Sequence, residues 1–204
     1  LTGYSRKETY RKLLVAPGLM REQVLARIDR EIEQHKANGD GYLAFKMNQL
    51  VDTDCIQALY RASRAGVKID LQVRGVCCLR PGVPDVSETI TVTSIVGRFL
   101  EHTRIYYFHN GGDEEILLGS ADLMPRNLDR RVETLFPIED PELLKAVRDD
   151  ILLTHLKDNV QARELMSSGA YRRIQPESAE KRLNTQLWMI RHRGLWDVGD
   201  GVLG

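Results

Sequence analysis

The sequence predicts an α/β protein in which helices flank a large β-sheet. One observation is a β-α-β pattern over residues 42–73, where two strand-like runs enclose an amphipathic helix. A second is a series of strand-like runs between residues 90 and 137, followed by a helical pattern from residue 140. The third is composition. The chain has 204 residues, 42% hydrophobic and 28% charged, which is typical of one globular domain and excludes disordered and fibrous classes.

The first half of the chain contains the β-α-β unit. Apolar residues at helical spacing predict a helix over residues 19–37, which Gly39 ends. Residues 42–47 are typical of a strand, and Asp52 is a suitable N-cap for the next helix, which ends at Gly66. Residues 67–73 alternate between polar and apolar side chains and predict a second strand. We expect a right-handed crossover and a parallel strand pair.

The second half adds strands and then helices. Four further strands are predicted, at residues 90–93, 105–108, 115–118 and 132–137. Asp140-Pro141-Glu142 combines an N-cap, a proline at the first helical position and an acidic first turn, which predicts a helix through Ile151. Another helix is predicted to begin near Ser178. We divide the chain into a lead-in segment (1–18), one globular domain (19–192) and a tail that we expect to be flexible (193–204).

Charge and cysteine content limit the partners and the compartment. Lys plus Arg and Asp plus Glu both total 29, so the net charge is zero and any site for a polyanion must be local. The three cysteines lack the spacing of a metal site and favour a reducing compartment. With no apolar stretch long enough to span a membrane, we expect a cytoplasmic protein. The chain begins without Met, and we expect it to be part of a longer protein.

Candidate site residues follow the predicted strands, because functional groups of open α/β sheets collect beyond the carboxyl ends of strands. Arg74 ends one strand and precedes Gly75, so its guanidinium could hold a phosphate with two hydrogen bonds. A surface arginine at a strand end is the alternative interpretation. Lys46 and Asn48, after the first strand, could add a second pair of donors.

The densest pattern is His102-Thr103-Arg104, a hairpin, and then Gly119-Ser120-Ala121-Asp122. A histidine and an arginine two residues apart on an extended segment point to the same side. The imidazole could act as nucleophile or acid, while Arg104, Ser120 and Asp122 orient or neutralise a phosphoryl group. The alternative is a histidine at a strand start beside an unrelated hairpin.

An arginine-rich segment comes next in the chain. Arg126, Asn127 and Arg130 follow the hairpin, with Arg131 beside them, and Arg98 precedes it; all could contact phosphate oxygens. Such arginines commonly form a solvated surface or pair with carboxylates, here Glu101 and Asp129. Four other histidines are assigned no functional role: His35, His109, His155 and His192.

These motifs resemble two related families. The order His-x-Arg, hairpin, Gly-Ser-x-Asp resembles a phospholipase D half-site, but Arg104, His109 and Asp122 replace its lysine, aspartate and asparagine. A closer resemblance, to the C-terminal catalytic region of bacterial polyphosphate kinase of the long-chain, phosphohistidine type, covers most of residues 1–190. It includes the stretches KMNQLVD (46–52), AGVKIDLQVRGVCCLRPGVP (65–84), SIVGRFLEHTRIYYFHNGG (94–112) and GSADLMPRNLDRRVE (119–133).

The resemblance implies a phospholipase D-like mixed sheet flanked by helices, with further helices at the C-terminus. It implies reversible transfer of the ATP terminal phosphate to inorganic polyphosphate, with ATP/ADP and Mg²⁺. The phosphorylated histidine and the metal ligands would lie in the missing N-terminal, head and first C-terminal domains. His102 would be the second active-site histidine, and Arg74 would contact ATP phosphates. A homo-oligomer that binds no nucleic acid is implied; peripheral membrane association of the full-length enzyme is left open.

Three functional hypotheses follow. The first is half of a polyphosphate kinase active site, inactive on its own. The second is a phospholipase D-like phosphodiesterase or nuclease, in which two copies of the chain join their His-x-Arg halves. The third is a polyanion-binding module without catalytic activity.

Overall fold

The computed structural model describes residues 10–179 and 181–192, and within them nine strands form one mixed sheet. Across the sheet the order is β1-β7-β6-β5-β2-β3-β4-β8-β9. In chain order the strands are β1 (Leu14–Ala16), β2 (Tyr42–Met47), β3 (Lys68–Val73), β4 (Ile90–Ile95), β5 (Arg104–Phe108), β6 (Glu115–Gly119), β7 (Glu133–Pro137), β8 (Ala162–Leu165) and β9 (Tyr171–Arg173).

Helices cover both faces of the sheet. They are α1 (Met20–Asn38), α2 (Thr53–Arg64), α3 (Pro141–Ala146), a π-helical stretch (Val147–Leu153), α4 (Thr154–Leu156) and α5 (Thr185–Arg191). The α2 helix begins where the Asp52 side chain accepts a hydrogen bond from the backbone N–H of Cys55. The α3 helix begins at Asp140, whose carboxylate accepts two backbone N–H groups. No helix in the described ranges is both long enough and apolar enough to cross a membrane.

Two apolar clusters pack on opposite faces of the sheet. On one face, α1 and α2 bury Val24, Ile28 and Leu59 against strand residues such as Phe45. On the other, Leu152 of the π-helical stretch packs against a smaller cluster that includes Ala44, Ile105 and Tyr107. Residues 44 and 45 therefore face opposite layers, as the alternation of side chains along a strand requires.

The strand directions place several chain segments at one edge of the sheet, which we call the site edge. Strands β2, β3 and β4 are parallel, so their carboxyl ends meet there. Strand β5 is antiparallel to β2, and β6 to β5, so β5 begins and β6 ends at the same edge. The segments that follow β2, β3, β4 and β6 consequently lie together at this edge.

Most predicted elements are confirmed, and three differ. The β-α-β unit, its parallel pairing and the hairpin of β5 and β6 are present. However, Leu14–Ala16, assigned to the lead-in, forms β1 and pairs with β7. Strands β8 and β9 were not predicted. The helix expected near Ser178 begins at Thr185 instead, because Asn184 provides the cap. Residues 1–9 and the predicted tail lie outside the described residues.

Candidate functional site

Every candidate residue lies on a segment that borders the site edge. Lys46 lies near the end of β2 and Asn48 directly follows that strand, Arg74 follows β3, and the loop of residues 96–103 joins β4 to β5. Arg104 opens β5, and the remaining candidates lie between β6 and β7: Ser120, Asp122, Arg126, Asn127 and Arg130. The fold thus brings together residues that are up to 84 positions apart in the chain, from Lys46 to Arg130.

His102 and Arg104 lie side by side, as their spacing predicts. The Arg104 guanidinium donates from Nη1 to His102 Nδ1 at 3.2 Å and to the His102 carbonyl at 2.7 Å. Its Nε and Nη2 atoms face the two carboxylate oxygens of Asp122 at 3.2 and 3.3 Å. Asp122 is buried and also accepts the backbone N–H of Asn48 at 2.8 Å. A buried carboxylate therefore holds the arginine that contacts the histidine.

This contact determines which nitrogen of His102 carries the proton. A guanidinium only donates hydrogen bonds, so His102 Nδ1 must accept. In the neutral imidazole the proton then resides on Nε2, and the ring is exposed. The outward nitrogen is thus a hydrogen-bond donor, suited to a phosphate oxygen or to a leaving group that takes up a proton. Nucleophilic attack by Nε2 would first require loss of that proton.

Lys46 does not have the open position expected of a phosphate donor. Its side chain is buried, and Nζ lies 3.3 Å from Glu101 Oε2 and 3.4 Å from the carbonyl of Thr103. Burial lowers the pKa of Lys46, Glu101 raises it, and the positive charges of Arg74 and Arg104 lower it further. Lys46 is therefore a partner of the loop that contains His102.

Arg74 has a position that suits a ligand contact. Its backbone is fixed, because the N–H donates to the Met47 carbonyl and its own carbonyl accepts the Ser94 hydroxyl. The residue is half-buried, and no carboxylate of the described residues lies within 4 Å of its guanidinium. Asn48 also has an unused donor, because its side-chain Nδ2 is buried with no hydrogen-bond partner in residues 10–179 and 181–192.

The segment after Asp122 presents exposed arginines. A π-helical turn, Arg126–Arg130, borders a surface groove of about 560 Å³ together with Arg131. Asp129 pairs with Arg21 at 2.7 Å rather than with these arginines. Asn127 differs from expectation, because it is buried and donates to Glu133 at 2.5 Å, so it stabilises the turn from inside.

Two other candidates remain on the surface. Arg98 is exposed in the 96–103 loop, with its guanidinium 5.2 Å from the ring centroid of Phe99. Ser120 is also exposed, and its hydroxyl accepts the backbone N–H of Thr134 at 3.3 Å. Both have donors that can still reach a ligand.

The surroundings of Glu101 were not predicted from the sequence. Glu101 was expected only as a partner for arginines, and His155 was expected to have no functional partner. In the structure, His155 Nε2 lies 2.9 Å from Glu101 Oε2, and Gln186 Nε2 lies 3.1 Å from Glu101 Oε1. The only local sign of a role for Glu101 is that it directly precedes His102. Its partners His155 and Gln186 lie 54 and 85 positions away in the chain.

Metal ligands are scarce at the site edge. No group of three or more His, Cys, Asp or Glu side chains in the described part of the chain is arranged to hold a metal ion. Asp122 is occupied by Arg104, and Glu101 by Lys46 and His155. A hard cation such as Mg²⁺ prefers free oxygen ligands. These residues therefore do not fit a magnesium site.

Comparison with known sequences gives consistent results. Residues 13–186 match the family model described as polyphosphate kinase C-terminal domain 2. The chain is 56% identical over 186 residues to the polyphosphate kinase of Synechocystis sp., covering 91% of this chain and 25% of that protein. It is 49% identical over 190 residues to the polyphosphate kinase of Pseudomonas aeruginosa, covering 93% and 27%. The chain thus spans about a quarter of the length of these relatives.

Solved structures show the same relationship. The crystal structure of polyphosphate kinase from Porphyromonas gingivalis superimposes with a TM-score of 0.86 at 44% identity, over 93% of this chain and 29% of that one. Nuc from Salmonella typhimurium, a phospholipase D family member, superimposes with a TM-score of 0.54 at 17% identity, over 76% of this chain and 97% of that one. The second likeness shows the phospholipase D-like fold.

Proposed function

Because the chain belongs to the polyphosphate kinase family, as its C-terminal domain 2, we propose that it forms one wall of an active site for phosphoryl transfer between ATP and inorganic polyphosphate. The observation that supports this most is the exposed His102, whose Nδ1 is occupied by Arg104. The family relationship favours this function over phosphodiester hydrolysis and over passive polyanion binding.

In the proposed reaction, His102 donates rather than attacks. The terminal phosphate of ATP passes to a histidine of the preceding domain and then to the end of a polyphosphate chain. Nε2–H of His102 donates to a phosphate oxygen on this path, which stabilises charge as it develops. Arg104 holds the ring in this orientation, and Asp122 holds Arg104.

The cations of the site edge would bind the two polyanions. Phosphoryl transfer depends mostly on positioning and on neutralising negative charge. Arg74 would contact ATP phosphates with a guanidinium that no carboxylate of the described residues neutralises, and Asn48 lies beside it. Arg98, Ser120, Arg126 and Arg130 would contact the polyphosphate chain or the outer phosphates. Lys46 and Asn127 are buried, and they would hold the loop and the turn that carry the surface residues.

Other parts of the proposal concern groups outside this chain. Mg²⁺ would neutralise phosphate charge, with ligands from the remainder of the enzyme and from the phosphates themselves. The missing domains would supply the phosphorylated histidine. We further propose a cytoplasmic, homo-oligomeric enzyme.

Steady-state polyphosphate synthesis by the full-length enzyme tests the proposal. We expect His102→Ala to lower kcat by about 10²- to 10⁴-fold, which is the usual contribution of a positioned acid or base. Arg74→Ala should mainly raise the KM for ATP. The control is Arg172→Ala, which removes an exposed arginine that pairs with Glu164 on the far strands. Wild-type rates in both site variants would contradict the proposal.

A further inference from the structure

The loop of residues 96–103 holds His102 at the site edge without regular secondary structure. Several of its side chains point away from the protein. Val96 and Leu100 are each 73% exposed, and Phe99 is 48% exposed, so apolar burial does little to fix the loop. Its position therefore depends on polar contacts, and three of these meet at one side chain, Glu101.

Three separate elements bind the carboxylate of Glu101. Lys46 Nζ from β2 lies 3.3 Å away, His155 Nε2 from α4 lies 2.9 Å away, and Gln186 Nε2 from α5 lies 3.1 Å away. We call Glu101, Lys46, His155 and Gln186 the Glu101 cluster. It attaches the loop to β2, α4 and α5 at once.

Gln186 binds the loop at two more points. Its Oε1 accepts the backbone N–H of Phe99 at 3.0 Å, and its Nε2 donates to the Phe99 carbonyl at 2.9 Å. Gln186 is itself held in place, because α5 is fixed at its start by buried Asp158. That carboxylate accepts the backbone N–H of Thr185 at 2.8 Å.

Charge makes the cluster more than a set of neutral hydrogen bonds. His155 Nδ1 lies 2.7 Å from the carbonyl of Ile151, and Nε2 faces the Glu101 carboxylate. Both partners are hydrogen-bond acceptors, so each ring nitrogen of His155 faces a group to which it can donate. The hydrogen bond from His155 is the largest cause that lowers the pKa of Glu101 to about 2, and Lys46 lowers it further. One carboxylate is thus the shared partner of two largely buried side chains, Lys46 and His155.

We infer that Glu101 is a positioning residue for His102, acting through the Glu101 cluster to hold the 96–103 loop where the imidazole can reach the transferred phosphate. This inference rests on the proposed function. Glu101 is adjacent to His102 in the chain, and Arg104 holds the ring from the other side. Without the carboxylate, the loop would lose its contact with Lys46 and its strongest contact with His155, which are two of its links to the rest of the domain.

The experiment compares variants of the full-length enzyme in steady-state polyphosphate synthesis. Glu101→Gln keeps the shape of the side chain and removes its charge. We expect kcat to fall about 10- to 100-fold, as small displacements of catalytic groups do, while the KM for ATP changes less than about two-fold. Glu101→Asp, which restores the charge at a shorter reach, should recover part of kcat. The matched control is Glu177→Gln, which removes an exposed carboxylate paired with Lys181.

Two further single variants, His155→Gln and Gln186→Leu, test the Glu101 cluster while Glu101 is kept. His155→Gln should also lower kcat. The double variant, Glu101→Gln with His155→Gln, should be no slower than Glu101→Gln alone, because both changes release the same loop. Gln186→Leu removes the hydrogen bonds to Phe99 and Glu101 but leaves the contacts of Glu101 with Lys46 and His155. If Glu101→Gln does not fold, a fall in kcat for these two variants at unchanged thermal stability supports the inference.

The outcomes separate the inference from the proposed function. If His102→Ala is slow while Glu101→Gln, His155→Gln and Gln186→Leu keep wild-type kcat, the inference is wrong and the proposed function stands. The inference is also wrong if the variants lose activity only in proportion to their loss of folded protein, because Glu101 would then be purely structural. If His102→Ala is fully active, the proposed function itself is wrong.

Discussion

Replacing Asp122 with asparagine should destabilise the domain by a measurable amount. Asp122 is 4% exposed and accepts three hydrogen bonds, two from Arg104 and one from the backbone of Asn48. Removing one partner of a fully buried ion pair costs about 3 to 5 kcal/mol. The Arg104 side chain keeps 14% exposure and the amide retains one acceptor oxygen, so we expect Asp122→Asn to cost about 2 kcal/mol.

The assay is equilibrium urea unfolding of this chain, followed by circular dichroism. The control is Glu164→Gln, which breaks an exposed ion pair with Arg172 and should cost less than about 1 kcal/mol. If Asp122→Asn is no less stable than the control, then Asp122 does not hold Arg104, and the orientation assigned to His102 loses its support.

Three further predictions concern other parts of the fold. Asp52→Ala should cost about 3 kcal/mol in urea unfolding, because it removes the cap of α2 and the buried partner of Arg21, while Asp52→Asn should keep the cap and lose only the charge. The low pKa of Glu101, about 2 against an ordinary 4.5, stabilises the fold above about pH 4.5 and ceases to do so as the pH falls toward 2. The stability difference between wild type and Glu101→Gln should therefore shrink between about pH 5 and about pH 2.5, and a constant difference would contradict this. Gly119→Ala would place a Cβ 1.9 Å from the Thr134 carbonyl of the neighbouring strand, so we expect a loss above about 3 kcal/mol or failure to fold in the same assay.

Local patterns were sufficient to predict the central part of the fold. The α1 and α2 helices, the strands β2 to β7 and the hairpin all follow from periodicity, caps and turn residues within short windows. The contact of His102 with Arg104 was also predictable, because alternate residues of an extended segment share one side. The grouping of candidate residues at the site edge follows from the parallel β-α-β unit.

Contacts that depend on distant parts of the chain were not predictable. Strands β8 and β9 are four and three residues long, and they are recognisable as strands only through pairing at the sheet margin. Lys46 was predicted to be an exposed donor because its partner, Glu101, comes 55 positions later in the chain. The link from Glu101 to Gln186 likewise requires α5 to return to the site edge, which no local pattern shows.

The covalent phosphoenzyme tests the central claim most directly, namely that His102 assists transfer while the nucleophile lies in another domain. Full-length wild-type and His102→Ala enzymes are incubated with ATP labelled on its terminal phosphate, and bound label and its discharge to polyphosphate are measured. We predict that His102→Ala binds as much label as wild type and discharges it at least about 10²-fold more slowly. Absence of label in the variant, together with label on the His102 peptide of the wild type, would contradict the account.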